Sequence, residues 1–425
     1  MSTTGNSVGE MIGGLALSFI SGILNGSYNA AFDPNLALAT GPRASMKPQE
    51  RKFDLDFNHA WMLFQIYSTI INATVCLLWA GGPSNVLFVL GQATTASIVL
   101  LVIFSFLWGI GSFFFGRACK IAGVGIGTNL TMSIVLMLGT FLPLMYDGGI
   151  KSITGVVIIV GLLVVCFGLY FSAESLRMRD LDIMKAENLL TVKAKPSCSV
   201  QVSAAADPIN SEDSYSIQEL QQNEAEQNPE HHVFAPDLPR NERNDNVLNQ
   251  RYSSTAKIFV CVVAGLCSSL LQFAFIFGRE IIQIAEKDAS TPKGGSAAII
   301  WLFAISIGSI PSIFYGICSS SNEIPLKSIW LSPCWRHLAI CITSFVWLSH
   351  IHTYGLSANV LLPKKFAASI AWPTMMTTSV ATGMVLSMCL GEWKGASSIA
   401  LSNLWRGLIL SATGVILFMS SIAFK

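Results

Sequence analysis

A small set of polar side chains lies inside apolar stretches of the sequence, where a polar group needs a partner or a function. Asn25 and Asn29 are four residues apart and share one face of a predicted helix, with Tyr28 beside them. Gln272 holds the equivalent place later in the chain. Amides donate and accept hydrogen bonds, which suits a neutral solute with hydroxyl or amide groups. Hydrogen bonding between helices is the structural alternative for the same residues.

Two tryptophans, Trp108 and Trp347, each precede a glycine by eight residues. An indole ring stacks on the apolar face of a sugar and offers one hydrogen-bond donor, so both residues are candidates for solute binding. Packing or an interfacial position is the competing interpretation.

Two histidines, His350 and His352, lie deep in an apolar stretch. Imidazole changes charge near physiological pH, so these residues are the candidates for proton coupling. Residues two apart on a helix point about 200° away from each other, so we expect at most one to face a cavity. A hydrogen-bonded structural role is the alternative.

The apolar stretches lack the residues that several kinds of chemistry require. No Lys or Arg lies at the centre of an apolar stretch, which disfavours a phosphorylated solute. No nucleotide-binding motif, catalytic triad or paired carboxylate occurs in these stretches, so we expect no enzyme and no cofactor. The ten cysteines include no Cys-x-x-Cys pair and are interpreted as small apolar residues, not as metal ligands or a disulfide framework.

The composition is that of a membrane protein. The 425 residues are 52% hydrophobic and 12% charged, with a mean hydropathy of +0.55. A net charge of +1 gives no field suited to nucleic acid. Apolar runs long enough to cross about 30 Å of hydrocarbon predict ten spans. They begin near Gly9, Asn58, Thr94, Ala118, Ser152, Thr255, Ser296, Arg336, Lys365 and Leu401.

The spans fall into two groups of five. Residues 1–173 form the first predicted membrane repeat, residues 174–254 a polar and largely disordered central loop, and residues 255–425 the second repeat. The start of the loop, residues 172–187, has charges at helical spacing that favour continuation of the fifth helix into water. The distribution of Lys and Arg places the central loop in the cytosol.

The two groups also share sequence. Ser105–Gly116 returns as Ser344–Gly355, with Trp108 matched to Trp347, and Ser21–Phe32 is echoed at Ala264–Phe275. Because each group holds an odd number of spans, the two copies must have opposite orientations in the membrane. The fold class predicted is therefore all-α, with ten transmembrane helices as two inverted five-helix repeats, which is typical of secondary transporters.

The ungapped region Leu107–Thr140, with Trp108-Gly-Ile-Gly111, resembles bacterial rhamnose-proton symporters of the drug/metabolite transporter superfamily. The similarity resumes at Gly265–Phe275, at Trp347 with Tyr354-Gly355, and at Gly391-Glu-Trp-Lys394. It implies ten helices in two inverted repeats and adds Tyr354 to the candidate substrate-binding residues. The long central loop departs from the compact bacterial pattern, and plant ureide permeases of the same superfamily also carry such a loop.

We therefore expect a multi-pass secondary transporter for a neutral, rhamnose-like sugar or a similar small polar solute, working by alternating access. Proton coupling and facilitated transport both stay open. The alternatives are a ureide or nucleobase permease and a non-transporting receptor or scaffold. The expected partners are the solute, the lipid bilayer and, for a symporter, protons, and a plasma membrane is favoured over an organelle membrane.

Overall fold

The computed structural model describes residues 8–28, 57–122, 124–146, 148–193, 254–288, 290–292, 294–319, 326–358 and 367–423. Within these ranges the secondary structure is helical, without strands. Ten helices have 20 residues or more: α1 Val8–Ser27, α2 Phe57–Trp79, α3 Thr95–Ala122, α4 Val124–Tyr146, α5 Ile153–Lys193, α6 Ser254–Phe277, α7 Ser296–Cys318, α8 Cys334–Leu356, α9 Ala367–Cys389 and α10 Ser398–Ser420. Short helices follow α2 (Pro83–Gln92) and α6 (Arg279–Lys287), and another precedes α8 (Ser328–Leu331).

Seven of the helices in the described ranges are long and apolar enough to cross a membrane, namely α2 to α7 and α10. This indicates an integral, multi-pass membrane protein. Helices α1, α8 and α9 are also 20 residues or longer but are not among these seven. In α9 the inward-facing residues include hydroxyl side chains, since Thr374, Thr377 and Ser379 are all buried.

Two helix boundaries differ from the sequence-based expectation. The fourth span was expected from Ala118, but Ala118 belongs to α3, which continues to Ala122. Arg117 and Lys120 interrupt the apolar run at this point, but both lie within α3, so charge and hydropathy do not locate the break. Helix α5 continues 20 residues past the predicted boundary at residue 173, as the charge spacing of residues 172–187 indicated. A Glu174–Arg177 ion pair of 2.6 Å lies on this extension.

Side-chain contacts fix the relative directions of the helices. Met62 lies against Gly316, and the Oγ of Ser309 donates to the Oε1 of Gln65 over 3.1 Å, so α2 and α7 are antiparallel. Corresponding contacts make α3 antiparallel to α6, α1 antiparallel to α8, α3 parallel to α7 and α2 parallel to α8. We call the side where α1 ends and α6 begins the loop face, and the side where α1 begins and α10 ends the terminal face.

Helices α5 and α10 pack on each other along their length, at the edge of the bundle. Glycines allow the approach: Gly168 lies against the backbone of Gly407 and Ser411, and Gly161 lies against the ring of Phe418. Close backbone contact through small residues is the usual way for helices to associate in lipid, where apolar burial gives little driving force.

Nine cysteines fall in the described residues and all are free thiols. Cys76 and Cys261 are buried, in line with the expectation of small apolar residues. Cys318 and Cys389 are exposed instead, because each lies at the last residue of its helix.

Candidate functional site

A cavity lies between the helices of the two halves. Eight of the ten long helices contribute to it, while α5 and α10 do not. The space open to the centre of a water molecule is about 80 Å³, and one water needs roughly 10–15 Å³ on that measure, so the cavity fits a small solute. The lining residues are Asn25, Tyr28, Trp61, Phe64, Gln65, Trp108, Ser112, Phe115, Met132, Val135, Ser268, Leu271, Trp301, Trp347, His350, Ile351, Tyr354, Trp372, Met375 and Met376.

The two tryptophans predicted from the repeat meet in this cavity. The rings of Trp108 and Trp347 are stacked, with 6.2 Å between centroids and 6° between planes. Trp108 lies midway along α3 and Trp347 near the middle of α8, so the pair is at mid-depth of the bundle. The rings of Phe64 and Trp347 are arranged edge to face, with 5.4 Å between their centroids. The result is an aromatic surface on which the apolar face of a ring-shaped solute can stack.

Helix α1 places Asn25 and Tyr28 in the cavity wall through its last turn. Asn25 is 3% exposed, and its amide has no hydrogen-bond partner among the described residues. Tyr28 stacks on Phe64, with centroids 5.8 Å apart and planes 8° apart. An unpartnered amide facing a cavity can donate to and accept from a polar solute. Asn29, predicted with these two, lies outside the described residues.

Gln272 is one step removed from the cavity. Its Nε2 donates to the hydroxyl of Tyr354 over 3.0 Å, and Gln272 itself is not in the lining. Tyr354, added by the family resemblance, does line the cavity and is 1% exposed. The amide therefore orients the phenol, and the phenol is the group closer to a solute.

The two histidines point in different directions, as residues two apart on a helix must. His350 lines the cavity, and its Nδ1–H donates to the carbonyl of Trp347. That bond leaves Nε2 as the nitrogen able to accept a proton. His352 faces α2, with Nε2 3.9 Å from the Sγ of Cys76 and the ring centroids of His352 and Trp79 5.6 Å apart.

Gln65 is a cavity residue that the sequence reasoning missed. Its Nε2 donates to the Oγ of Ser112 over 3.1 Å, and its Oε1 accepts from Ser309, so it joins α2 to α3 and α7. The signal was available, because Gln65 is an amide inside a predicted span. It was obscured by the other polar residues of that span, such as Asn72.

Three further tryptophans, Trp61, Trp301 and Trp372, also line the cavity and were not predicted. Trp372 donates from Nε1 to the carbonyl of Val135 over 3.3 Å and packs against Gly139. Nothing in the sequence separates these rings from exposed tryptophans such as Trp405, which is 53% exposed.

The lining is uncharged. No Asp, Glu, Lys or Arg contributes to it, and His350 is its one histidine among the described residues. Arg336, near the start of α8, is 3% exposed and does not line the cavity. Within the same ranges, no three His, Cys, Asp or Glu side chains come together to hold a metal ion.

The charged turn at Gly391-Glu-Trp-Lys394 lies away from the cavity. Glu392 Oε2 lies 3.0 Å from a guanidinium nitrogen of Arg179 on the α5 extension. The same guanidinium lies over the ring of Trp393 at 5.2 Å. Arg179 and Glu392 are 213 residues apart in the chain, so local charge spacing does not pair them.

Comparison of the chain with protein-family models, with curated proteins and with solved structures finds no match.

Proposed function

We propose that this protein is a secondary transporter that moves a neutral, small polar solute by alternating access between two inverted five-helix halves. The observation that carries the proposal is the uncharged cavity at mid-depth, lined by helices of both halves, with stacked indoles and an unpartnered amide. A transporter needs a polar site between its moving halves. A scaffold has no need of one.

The packing of the bundle supports the inverted repeat. In an inverted repeat, each helix of the first half corresponds to the helix five places later, so every contact should have a counterpart. The contact α1–α9 corresponds to α6–α4, α3–α6 corresponds to α8–α1, and α4–α5 corresponds to α9–α10. All six contacts occur. The contacts α2–α7, α4–α9 and α5–α10 map onto themselves. Matched helices also run in opposite directions, as the antiparallel pair α2 and α7 illustrates.

The side chains that line the cavity favour a neutral solute. A phosphate would need a buried cation to neutralise it, and the lining has none among the described residues. Stacked Trp108 and Trp347 with the amide of Asn25 suit a hydroxylated ring, so a neutral sugar is the first candidate. A ureide or nucleobase has a planar face and amide groups that suit the same side chains, and it is the second candidate.

Coupling to protons is assigned to His350. The Nε2 of this residue is the free basic nitrogen of the lining, so protonation and solute binding can influence each other there. His352 is directed toward Cys76 and Trp79 and has no such access. The Lys and Arg distribution favours a cytosolic loop face. A plasma membrane stays the favoured location.

Uptake by proteoliposomes tests the function. Radiolabelled rhamnose, allantoin and uracil are offered separately with and without an inward proton gradient, and a phosphorylated sugar serves as the charged control. The expected result is saturable uptake of a neutral solute and none of the phosphate. Saturable uptake of the phosphorylated sugar would contradict the proposal of a neutral solute. The absence of uptake of any small solute would favour a receptor or scaffold.

Coupling has its own matched pair of variants. His350→Gln is expected to abolish uphill uptake in a proton gradient while exchange of solute down its own gradient survives. His352→Gln, on the same helix, is expected to keep uphill uptake. Persistent uphill uptake in His350→Gln excludes that histidine, and no dependence on the gradient in the wild-type protein identifies a facilitator.

A further inference from the structure

Each end of the cavity is bounded by a tryptophan that lies against a glycine of the neighbouring helix. At one end the ring of Trp61 covers Gly116, and at the other the ring of Trp301 covers Gly355. The residue before each glycine is aromatic and contacts the same indole. The Trp61–Phe115 and Trp301–Tyr354 centroids are both 6.2 Å apart.

These two contacts are at opposite ends of the cavity. Trp61 is near the start of α2 and Trp301 near the start of α7, and those helices are antiparallel. Trp61 therefore lies toward the loop face and Trp301 toward the terminal face. A second, smaller cavity lies beyond Trp61, lined by Arg117 and Tyr315 among others, so a path toward the loop face passes this ring.

The two ends are packed to different degrees. A methyl group added at Gly355 would lie 2.6 Å from Nε1 of Trp301, whereas one added at Gly116 would lie 3.4 Å from the ring of Trp61, an ordinary contact distance. Trp301 is 1% exposed and Trp61 is 8% exposed.

Hydrogen bonds also hold the terminal-face contact. The Nδ2 of Asn72 donates to the carbonyl of Trp301 over 2.9 Å, and the hydroxyl of Tyr354 is bonded to Gln272. The structure thus has a tightly closed end and a looser one.

We propose that the Trp301–Gly355 and Trp61–Gly116 contacts are the two gates of the cavity. During transport one gate is tightly packed while the other is loose, and the two exchange these states. This inference rests on the proposed transport function. Glycine is required because only a residue without a side chain lets an indole lie against the helix backbone. In this conformation the terminal-face gate is closed and the loop-face gate is the looser one.

Single methyl groups bias the two gates in opposite directions. Gly355→Ala prevents the Trp301 contact from closing fully, which favours the conformation open to the terminal face. Gly116→Ala fits the present conformation, in which the Trp61 contact is loose. In the opposite conformation the added methyl group would prevent Trp61 from packing as tightly as Trp301 packs on Gly355 here. Gly383→Ala is the control, because an added methyl group at Gly383 has no neighbour within 4 Å.

The conformational bias is measured with a thiol reporter in the cavity. Ser112→Cys is introduced into the wild-type chain and into each glycine variant. A membrane-impermeant maleimide is then applied to vesicles of either orientation, with each parent chain labelled in parallel to correct for native cysteines. Gly355→Ala should raise the labelling rate from the terminal face about tenfold and lower it from the loop face, and Gly116→Ala should do the reverse. Gly383→Ala should match the wild-type rates.

Labelling requires no solute, so the gates and the transport function can fail separately. Unchanged rates, or a shift in the same direction for both variants, would overturn the gates even if solute uptake is observed. Opposite shifts without uptake of any solute would contradict transport and leave the gates standing. If Gly355→Ala does not reach the membrane, Trp301→Phe serves in its place, because it shortens the ring at the same contact. It must also raise labelling from the terminal face.

Discussion

The cavity and the contact between α5 and α10 are packed in opposite ways. In the cavity, aromatic rings and the amide of Asn25 leave space at mid-depth. Between α5 and α10, Gly168 and Gly407 bring two backbones together. At the loop-face end of this contact an ion pair, Arg179–Glu392, joins the α5 extension to the turn before α10. Side chains that meet a changing partner need room, whereas helices that only support the bundle gain stability from close packing.

The largest effect is expected at the α5–α10 contact. A methyl group at Gly407 would collide with Ser172 Oγ and lie 2.8 Å from the carbonyl oxygen of Gly168, and backbone cannot move aside as a flexible side chain can. Gly407→Ala should therefore lower the free energy of unfolding by about 3 kcal/mol. Thermal unfolding of the detergent-solubilised protein measures this, with Gly383→Ala as the control. Equal melting temperatures for the two variants would contradict the supporting role of this contact.

A smaller effect, on binding and not on stability, is expected from the indole pair. Trp347 contacts Trp108, Phe64 and Tyr28 in the cavity, so Trp347→Ala should weaken solute binding by about 2 kcal/mol, or roughly 30-fold in Kd. Equilibrium binding of the transported solute to the purified protein measures the loss. Trp405→Ala, on the exposed face of α10, is the matched control and should leave Kd unchanged. A similar loss in both variants would mean that tryptophan removal perturbs the bundle in general.

The unpartnered amide should contribute less than the indoles. Asn25→Ala removes one hydrogen bond to the solute, which is expected to weaken binding by about 1 kcal/mol, or roughly fivefold in Kd. Asn403 is the matched amide of α10, where its Nδ2 contacts the sulfur of Met178. Asn403→Ala should leave the Kd for solute unaltered. If Asn25→Ala binds as tightly as the wild type, the polar recognition of the solute lies with Gln65 or Tyr354 instead.

The smallest effect is expected at the ion pair. The Arg179 and Glu392 side chains are 12% and 22% exposed, so water and salt reach the pair and screen their attraction in part. Arg179→Ala should cost about 0.5 kcal/mol of stability, and the difference from wild type should shrink as salt is raised. Unfolding at two ionic strengths tests this. A loss above that of Gly407→Ala would show that the end of the contact, and not its glycines, carries the stability.

Which helices form was largely readable from the sequence, because runs of apolar residues and the lack of charge within them depend on local composition alone. The face of each helix that turns inward could not be read from the sequence. In a membrane the lipid-facing and core-facing sides are both apolar, so hydrophobic periodicity gives little information. Trp301 and Trp405 both lie in helices apolar enough to cross a membrane, yet the first is 1% and the second 53% exposed.

Residues were located best where the repeat, the family resemblance or a local rule supplied information beyond hydropathy. The matched positions of Trp108 and Trp347 identified two rings that stack in the cavity, and helix geometry separated His350 from His352. Gln272 was a candidate by its sequence echo, but the tertiary structure makes it a partner of Tyr354. Their roles in binding and coupling stay predictions.

The sequence by itself determined that this is a helical, multi-pass membrane protein whose membrane portion carries few charges, because the bilayer imposes length and hydropathy on each segment separately. The tertiary structure alone decided that Gln65 and Trp372 line the cavity and that Glu392 pairs with Arg179. Those contacts join residues far apart in the chain. Such pairings depend on how the helices pack, which no single segment of the sequence encodes.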